Sequence, residues 1–136
     1  MQIVYSNSRN RDFLRLCRQT LARLRAEGQN PTIHQLIDIV LSKPAPAYYV
    51  DYYNACHVLI KALKEGDIPT GAYKSSDCWK DMYRDLLQLL KLHPTHPLRR
   101  LILNLCAGEA GNPRFYISRR SALAILKPHL KTTYTL

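Results

Sequence analysis

Apolar residues recur along this chain at three- and four-residue intervals, and prolines and glycines break that rhythm into segments. Such spacing marks amphipathic helices with one face turned to a core. The first spans residues 10–27, where Phe13, Leu14, Cys17, Leu21 and Leu24 share a side and arginines take the others, with Gly28 as a natural stop. The second begins after Thr32, whose hydroxyl and the Gln35 amide three residues on form a capping-box pattern. Ile33, Leu36, Ile37, Val40 and Leu41 make its stripe. Pro44 and Pro46 end it, because proline donates no backbone hydrogen bond and restricts the residue before it.

Tyr48, Tyr49 and Val50 read as extended, and Asp51 as the cap of a third helix carried by Ala55, Leu59, Ala62 and Leu63 and closed by Gly66. A fourth helix covers residues 77–92, with Trp79, Met82, Tyr83, Leu86, Leu87 and Leu90 inward. Pro97 suits the first turn of a fifth, where its missing N–H is harmless; Leu98, Leu101, Ile102 and Leu105 form the core face and Gly108 and Gly111 the end. Ser118 caps a sixth, which Pro128 terminates. The chain beyond it reads as a loosely docked tail.

A shift of 67 residues lays residues 46–60 over residues 113–127. Pro46/Pro113, Tyr49/Tyr116, Ala55/Ala122 and Leu59/Leu126 are identical; Tyr48/Phe115, Val50/Ile117 and Val58/Ile125 keep their chemistry, and Asp51/Ser118 both cap. The order of features repeats as well: long helix, proline break, short helix, Pro-x-aromatic-Tyr lead-in, capped helix. The expected architecture is therefore all-α, about six helices as two related three-helix halves packed into one compact bundle. The single domain covers residues 1–136, with halves 10–66 and 76–128 joined by a linker at 66–76. The repeated lead-in reads as scaffold, driving rings between helices, with Tyr49 and Tyr116 donating to backbone carbonyls. The halves differ where Tyr52 and Tyr53 in the first stand opposite Arg119 and Arg120 in the second.

The strings Pro44-Ala-Pro-Ala-Tyr-Tyr-Val-Asp51 and Asn112-Pro-Arg-Phe-Tyr-Ile-Ser118 resemble a Pro-Ala-Pro-x-[Phe/Tyr]-Tyr-[Val/Ile]-[Ser/Asp] motif of small helical proteins from gut anaerobes and their phages or mobile elements. The resemblance covers two short windows and brings no activity with it, so no functional residue is taken from it.

Composition narrows the function classes. Hydrophobic residues make up 46% of 136, enough for a core. The N-terminal residues hold no signal-like apolar stretch, no run is long enough to span a bilayer, and the expectation is a cytoplasmic protein without a membrane partner. Cys17, Cys56, Cys78 and Cys106 lie far apart with no CxxC pair; they read as reduced small hydrophobes, with a disulfide framework or metal site as the alternative. No P-loop, GxGxxG, HExxH, nucleophile elbow or clustered carboxylate pair is present, so no catalytic residue, cofactor or metal is assigned and an enzyme is not expected. His93 and His96 sit three apart in a proline-broken turn, but lack the companion pair a zinc site needs.

Net charge is +10 and unevenly spread. Residues 1–25 hold six arginines against Asp12 alone, and residues 91–136 hold eight Lys/Arg against Glu109 alone, while the middle is slightly acidic. Basic ends attract polyanions. The leading expectation is a nucleic-acid-binding accessory protein that grips DNA or RNA backbone through Arg11, Arg15 and Arg18 on the first helix and Arg99, Arg100, Arg114, Arg119 and Arg120 on and before the fifth and sixth. Arg114, Arg119 and Arg120 surround the start of the last helix, where cations are unfavourable without an anion to meet. Tyr52 and Tyr53 are candidate aromatic contacts. The alternative is a protein–protein or assembly module docking on an acidic partner, anchored by Tyr48, Tyr49, Tyr52, Tyr53 and Tyr73.

Overall fold

In the computed structural model, residues 2–67 and 76–129 are described, so most of the linker at 66–76, Tyr73 with it, and the tail beyond residue 129 lie outside the described residues. Six α-helices form the described chain: α1 (Gln2–Ala26), α2 (Ile33–Leu41), α3 (Tyr52–Glu65), α4 (Ser76–Leu92), α5 (Leu98–Cys106) and α6 (Arg119–Leu126). A short 3-10 turn, Lys127–His129, follows α6 and contains Pro128.

Local signals are realised at the helix ends. The Thr32 hydroxyl accepts from the Gln35 N–H while the Gln35 side chain accepts from the Thr32 N–H at 2.9 Å, closing both halves of the capping box. Asp51 caps α3 through the Asn54 N–H at 3.0 Å, and Gly66 ends it in the left-handed conformation. Ser118 accepts from the Ser121 N–H at 3.1 Å. Helix α1 departs from its expected start, beginning at Gln2 rather than near residue 10. Nothing between Gln2 and Asn10 stops it: the segment has neither proline nor glycine, so a helix nucleated on the Phe13–Leu24 stripe propagates backward.

The two halves do not close separately. Helix α6 packs on α1 and α2, whereas α3 packs on α4 and α5. One core therefore joins Phe13, Cys17 and Leu21 of α1 with Leu36, Ile37 and Val40 of α2 and Ala122 and Leu126 of α6. The other joins Ala55, Cys56 and Leu59 of α3 with Cys78, Trp79, Met82 and Leu86 of α4 and Leu101, Ile102 and Leu105 of α5. Each half thus lends its third helix to the other's helix pair, an intramolecular form of the exchange seen in swapped dimers.

The lead-ins cross where that exchange happens. Pro44 and Arg114 form an isolated antiparallel bridge, and the Ala45 N–H donates to the Pro113 carbonyl at 2.8 Å. Tyr48 stacks on Tyr116 with centroids 6.1 Å apart, and Tyr49 stacks on Phe115 at 6.3 Å. Under the 67-residue shift these two pairs are each other's counterparts, so the crossing has a pseudo-twofold. Tyr49 is not extended as its lead-in suggests: its φ is 59°, a left-handed backbone that costs a bulky residue about 1–2 kcal/mol.

The hydroxyls at the crossing meet carboxylates, not backbone carbonyls. Tyr49 donates to Asp12 at 2.5 Å and Tyr116 to Asp81 at 2.7 Å. Asp12 in turn pairs with Arg15, and Asp81 with Arg84, each one helical turn on. The repeat therefore reaches into the long helices, where Asp12 and Arg15 correspond to Asp81 and Arg84 at a shift of 69. One further bond breaks the symmetry. Tyr48 donates to the buried carboxylate of Asp85, which also accepts the Asn112 N–H at 2.8 Å. The counterparts of Tyr48 and Asp85 are Phe115 and Leu16, so the other copy lacks both donor and acceptor.

Candidate functional site

The chain holds 20 Lys/Arg against 10 Asp/Glu, so the placing of carboxylates decides which cations remain available. Arg15 is drawn to Asp12 at 3.1 Å. Arg114 reaches Asp81 at 3.2 Å, with its guanidinium 5.9 Å from the Tyr116 ring centre. Arg119 crosses from α6 to α2 and grips both oxygens of Asp38, at 3.0 and 2.9 Å. The anion that meets the start of α6 is thus part of the protein. Burial by itself would raise the Asp81 carboxyl, but hydrogen bonds from Tyr116 and Arg114 and the charge of Arg84 outweigh it and hold the group below the ordinary aspartate value. Arg114 is raised in return, chiefly by its bond to Asp81.

Among the described residues, Arg11, Arg18, Arg99, Arg100 and Arg120 are exposed and carry no ion pair. They do not form one cluster of the kind the last two helices suggest in sequence. Helices α5 and α6 belong to different cores and are not packed together, so Arg99 and Arg100 are parted from Arg119 and Arg120 by the exchange. Arg11, Arg15 and Arg18 share one outer face of α1, spaced four and three residues apart.

The aromatic set divides equally clearly. Tyr48 and Tyr49 are buried at the crossing and are unavailable as contact anchors. Tyr52 is half-buried, and Tyr53 is 76% exposed with its ring edge-on to Tyr52 at 5.4 Å. Tyr53 opens a groove of about 450 Å³ between α3 and α5, lined with Cys56, His57, Ile60, Lys61, Lys64 and Arg99. Three cations and a histidine meet an exposed ring there, and among the described residues no carboxylate lines the wall. Tyr52 borders the same region, its pKa raised mainly by a hydrogen bond to the Cys56 thiol while Arg99 pulls the other way.

Of the sequence candidates, the structure brings together Arg99, Tyr52 and Tyr53. Sequence reasoning missed His57, Lys61 and Lys64, which lie in the slightly acidic middle of the chain. The signal was present: Tyr53, His57, Lys61 and Lys64 fall at intervals of four, four and three, one face of a helix.

Other chemistry is sparse. No disulfide joins the four cysteines, all of them among the described residues, and burial pushes the Cys17 and Cys106 thiols up to about 12, far from a reactive thiolate. The His93 and His96 rings meet edge to face at 4.6 Å, but among the described residues no third ligand joins them. Among the described residues, no group of three or more His, Cys, Asp or Glu is placed to hold a metal, and no helix is long and apolar enough to cross a membrane. A second recess of about 360 Å³ beside the crossing contains both Asp77 and Arg114, so its charge is mixed.

No family model, curated protein or solved structure matches this chain. The functional reading rests on the groove.

Proposed function

We propose that this chain is a nucleic-acid-binding accessory protein that holds phosphate backbone on basic helix faces. The observation that carries the reading is the α3–α5 groove, where Arg99, Lys61, Lys64 and His57 line a carboxylate-free wall beside an exposed tyrosine. The exposed arginines of α1 form a separate basic face, and the net charge of +10 favours encounter with a polyanion. Arg15, Arg114 and Arg119 are removed from the primary grip, because each already neutralises a carboxylate. Docking on an acidic protein gains less support, since two of its aromatic anchors, Tyr48 and Tyr49, are buried and Tyr53 stands beside cations rather than apart from them.

The test is a binding titration against duplex DNA, single-stranded DNA and RNA over a range of salt. Affinity is expected to fall steeply as salt rises. Lys61→Ala/Lys64→Ala/Arg99→Ala is expected to lower both the affinity and the salt slope, the slope by about one unit for each phosphate no longer held. Absence of binding to all three at low salt, or equal retention of polyglutamate, would refute the reading.

A further inference from the structure

The two copies of the repeat supply an internal comparison for the groove. At a shift of 67, Arg120 stands where Tyr53 does, Ala124 where His57 does and Pro128 where Lys61 does. Helix α6 nevertheless docks in its core through Ala122 and Leu126, as α3 does through Ala55 and Leu59. The scaffold therefore has no need of Tyr53, His57 or Lys61 in this row, and packing does not account for them; Lys64 alone has a like counterpart in sequence, Lys131.

The row also has a direction. Tyr53 lies in the first turn of α3, and Lys61 and Lys64 follow at about 12 and 16 Å along the axis, from a rise of about 1.5 Å per residue. Arg99 closes the opposite wall from α5. The Tyr53 ring is outside the core, and its steeply inclined contact with Tyr52 leaves it 76% exposed. Accessible aromatic faces next to a track of cations are what single strands use, because an unpaired base offers its face to a ring while its phosphates follow the charges. A duplex keeps those faces stacked inside and presents only its backbone and groove edges to a side chain.

We infer that the α3–α5 groove is a site for single-stranded nucleic acid, with Tyr53 stacking one unpaired base and Arg99, Lys61 and Lys64 holding the neighbouring phosphates. The inference rests on the nucleic-acid reading above and names its substrate class. It separates the groove from the exposed arginines of α1, which serve backbone alone.

The experiment compares three labelled ligands by fluorescence anisotropy at low salt: oligothymidylate, an abasic oligomer of the same length and charge, and a duplex. Wild-type protein is expected to bind oligothymidylate about tenfold more tightly than the abasic strand. Tyr53→Ala is expected to erase that difference by weakening only the thymidylate, and Tyr53→Phe to preserve it. Because Tyr53 is exposed, the alanine variant keeps its fold, which a thermal melt verifies. Equal binding of the abasic and thymidylate strands by wild type, or equal weakening of both by Tyr53→Ala, overturns the single-strand site while leaving backbone binding intact. Binding of none of the three ligands overturns the single-strand site, and the nucleic-acid reading falls with it if RNA is not bound either.

Discussion

At the scale of single residues, the crossing depends on carboxylates that receive tyrosine hydroxyls. Asp85 is the most exacting: it is 3% exposed and satisfies Tyr48 and the Asn112 N–H, with the Arg84 guanidinium 3.9 Å away. Asp85→Ala strands both donors, at an expected cost of about 2–4 kcal/mol, whereas Tyr48→Phe removes one donor for about 1 kcal/mol. Denaturant titration of the double variant should show less than the sum, because the two changes remove one shared bond. Asp81 yields a pH-dependent counterpart. Its carboxyl is held below the ordinary aspartate value only in the folded chain. That contribution is complete above the ordinary carboxylate range and is lost as pH falls through the lowered folded value. The stability gap between wild type and Asp81→Asn should accordingly be level near neutrality and shrink below about pH 4. A gap that is unchanged in acid would show that Asp81 acts through shape alone.

At the scale of elements, what was legible in the sequence is what three or four adjacent residues decide among themselves. Thr32, Asp51 and Ser118 cap their helices through N–H groups three residues on, and Gly66 stops α3, so those ends follow from local chemistry. The Arg119–Asp38 pair, 81 residues apart, has no local signature, and neither does the meeting of Arg99 with the α3 row. The row itself was hidden by context: in an acidic stretch, His57, Lys61 and Lys64 read as a solvated outer face until α5 is laid beside them. Loop ends carry a similar contrast. Gly28 and Gly108 both have left-handed backbones, with φ of 80° and 78°, but they differ in surroundings. A methyl on Gly28 meets open space, while on Gly108 it falls 2.1 Å from the Pro46 carbonyl oxygen. Gly28→Ala is expected to cost about 1 kcal/mol, and Gly108→Ala clearly more, since it must push the end of α5 off the first lead-in. Thermal melts of the two variants provide the comparison; equal losses would mean that the lead-in yields freely.

At the scale of the whole molecule, the repeat was visible in sequence but its exchange was not. Both third helices carry a similar apolar stripe, and the crossing at Pro44–Arg114 together with the Arg119–Asp38 pair favours the exchanged arrangement. One consequence is that neither half owns a closed core. Cutting the chain between residues 67 and 76 should leave two fragments that elute together under native conditions and part only in denaturant. Fragments that separate readily would contradict the exchange. A second consequence concerns how the protein is made. Helices α4 and α5 emerge from the ribosome when α3 is already waiting, so that unit closes as soon as residue 106 is free. The first-made helices must wait for α6, which at about 5–20 residues per second delays them by roughly 4–17 s after α2 is finished. The part of the chain that is synthesised first is thus the part that folds last. Through that interval α1 and α2 have only each other, the surface that α6 covers stays open, and an α6 from a neighbouring nascent chain fits it as well as the chain's own.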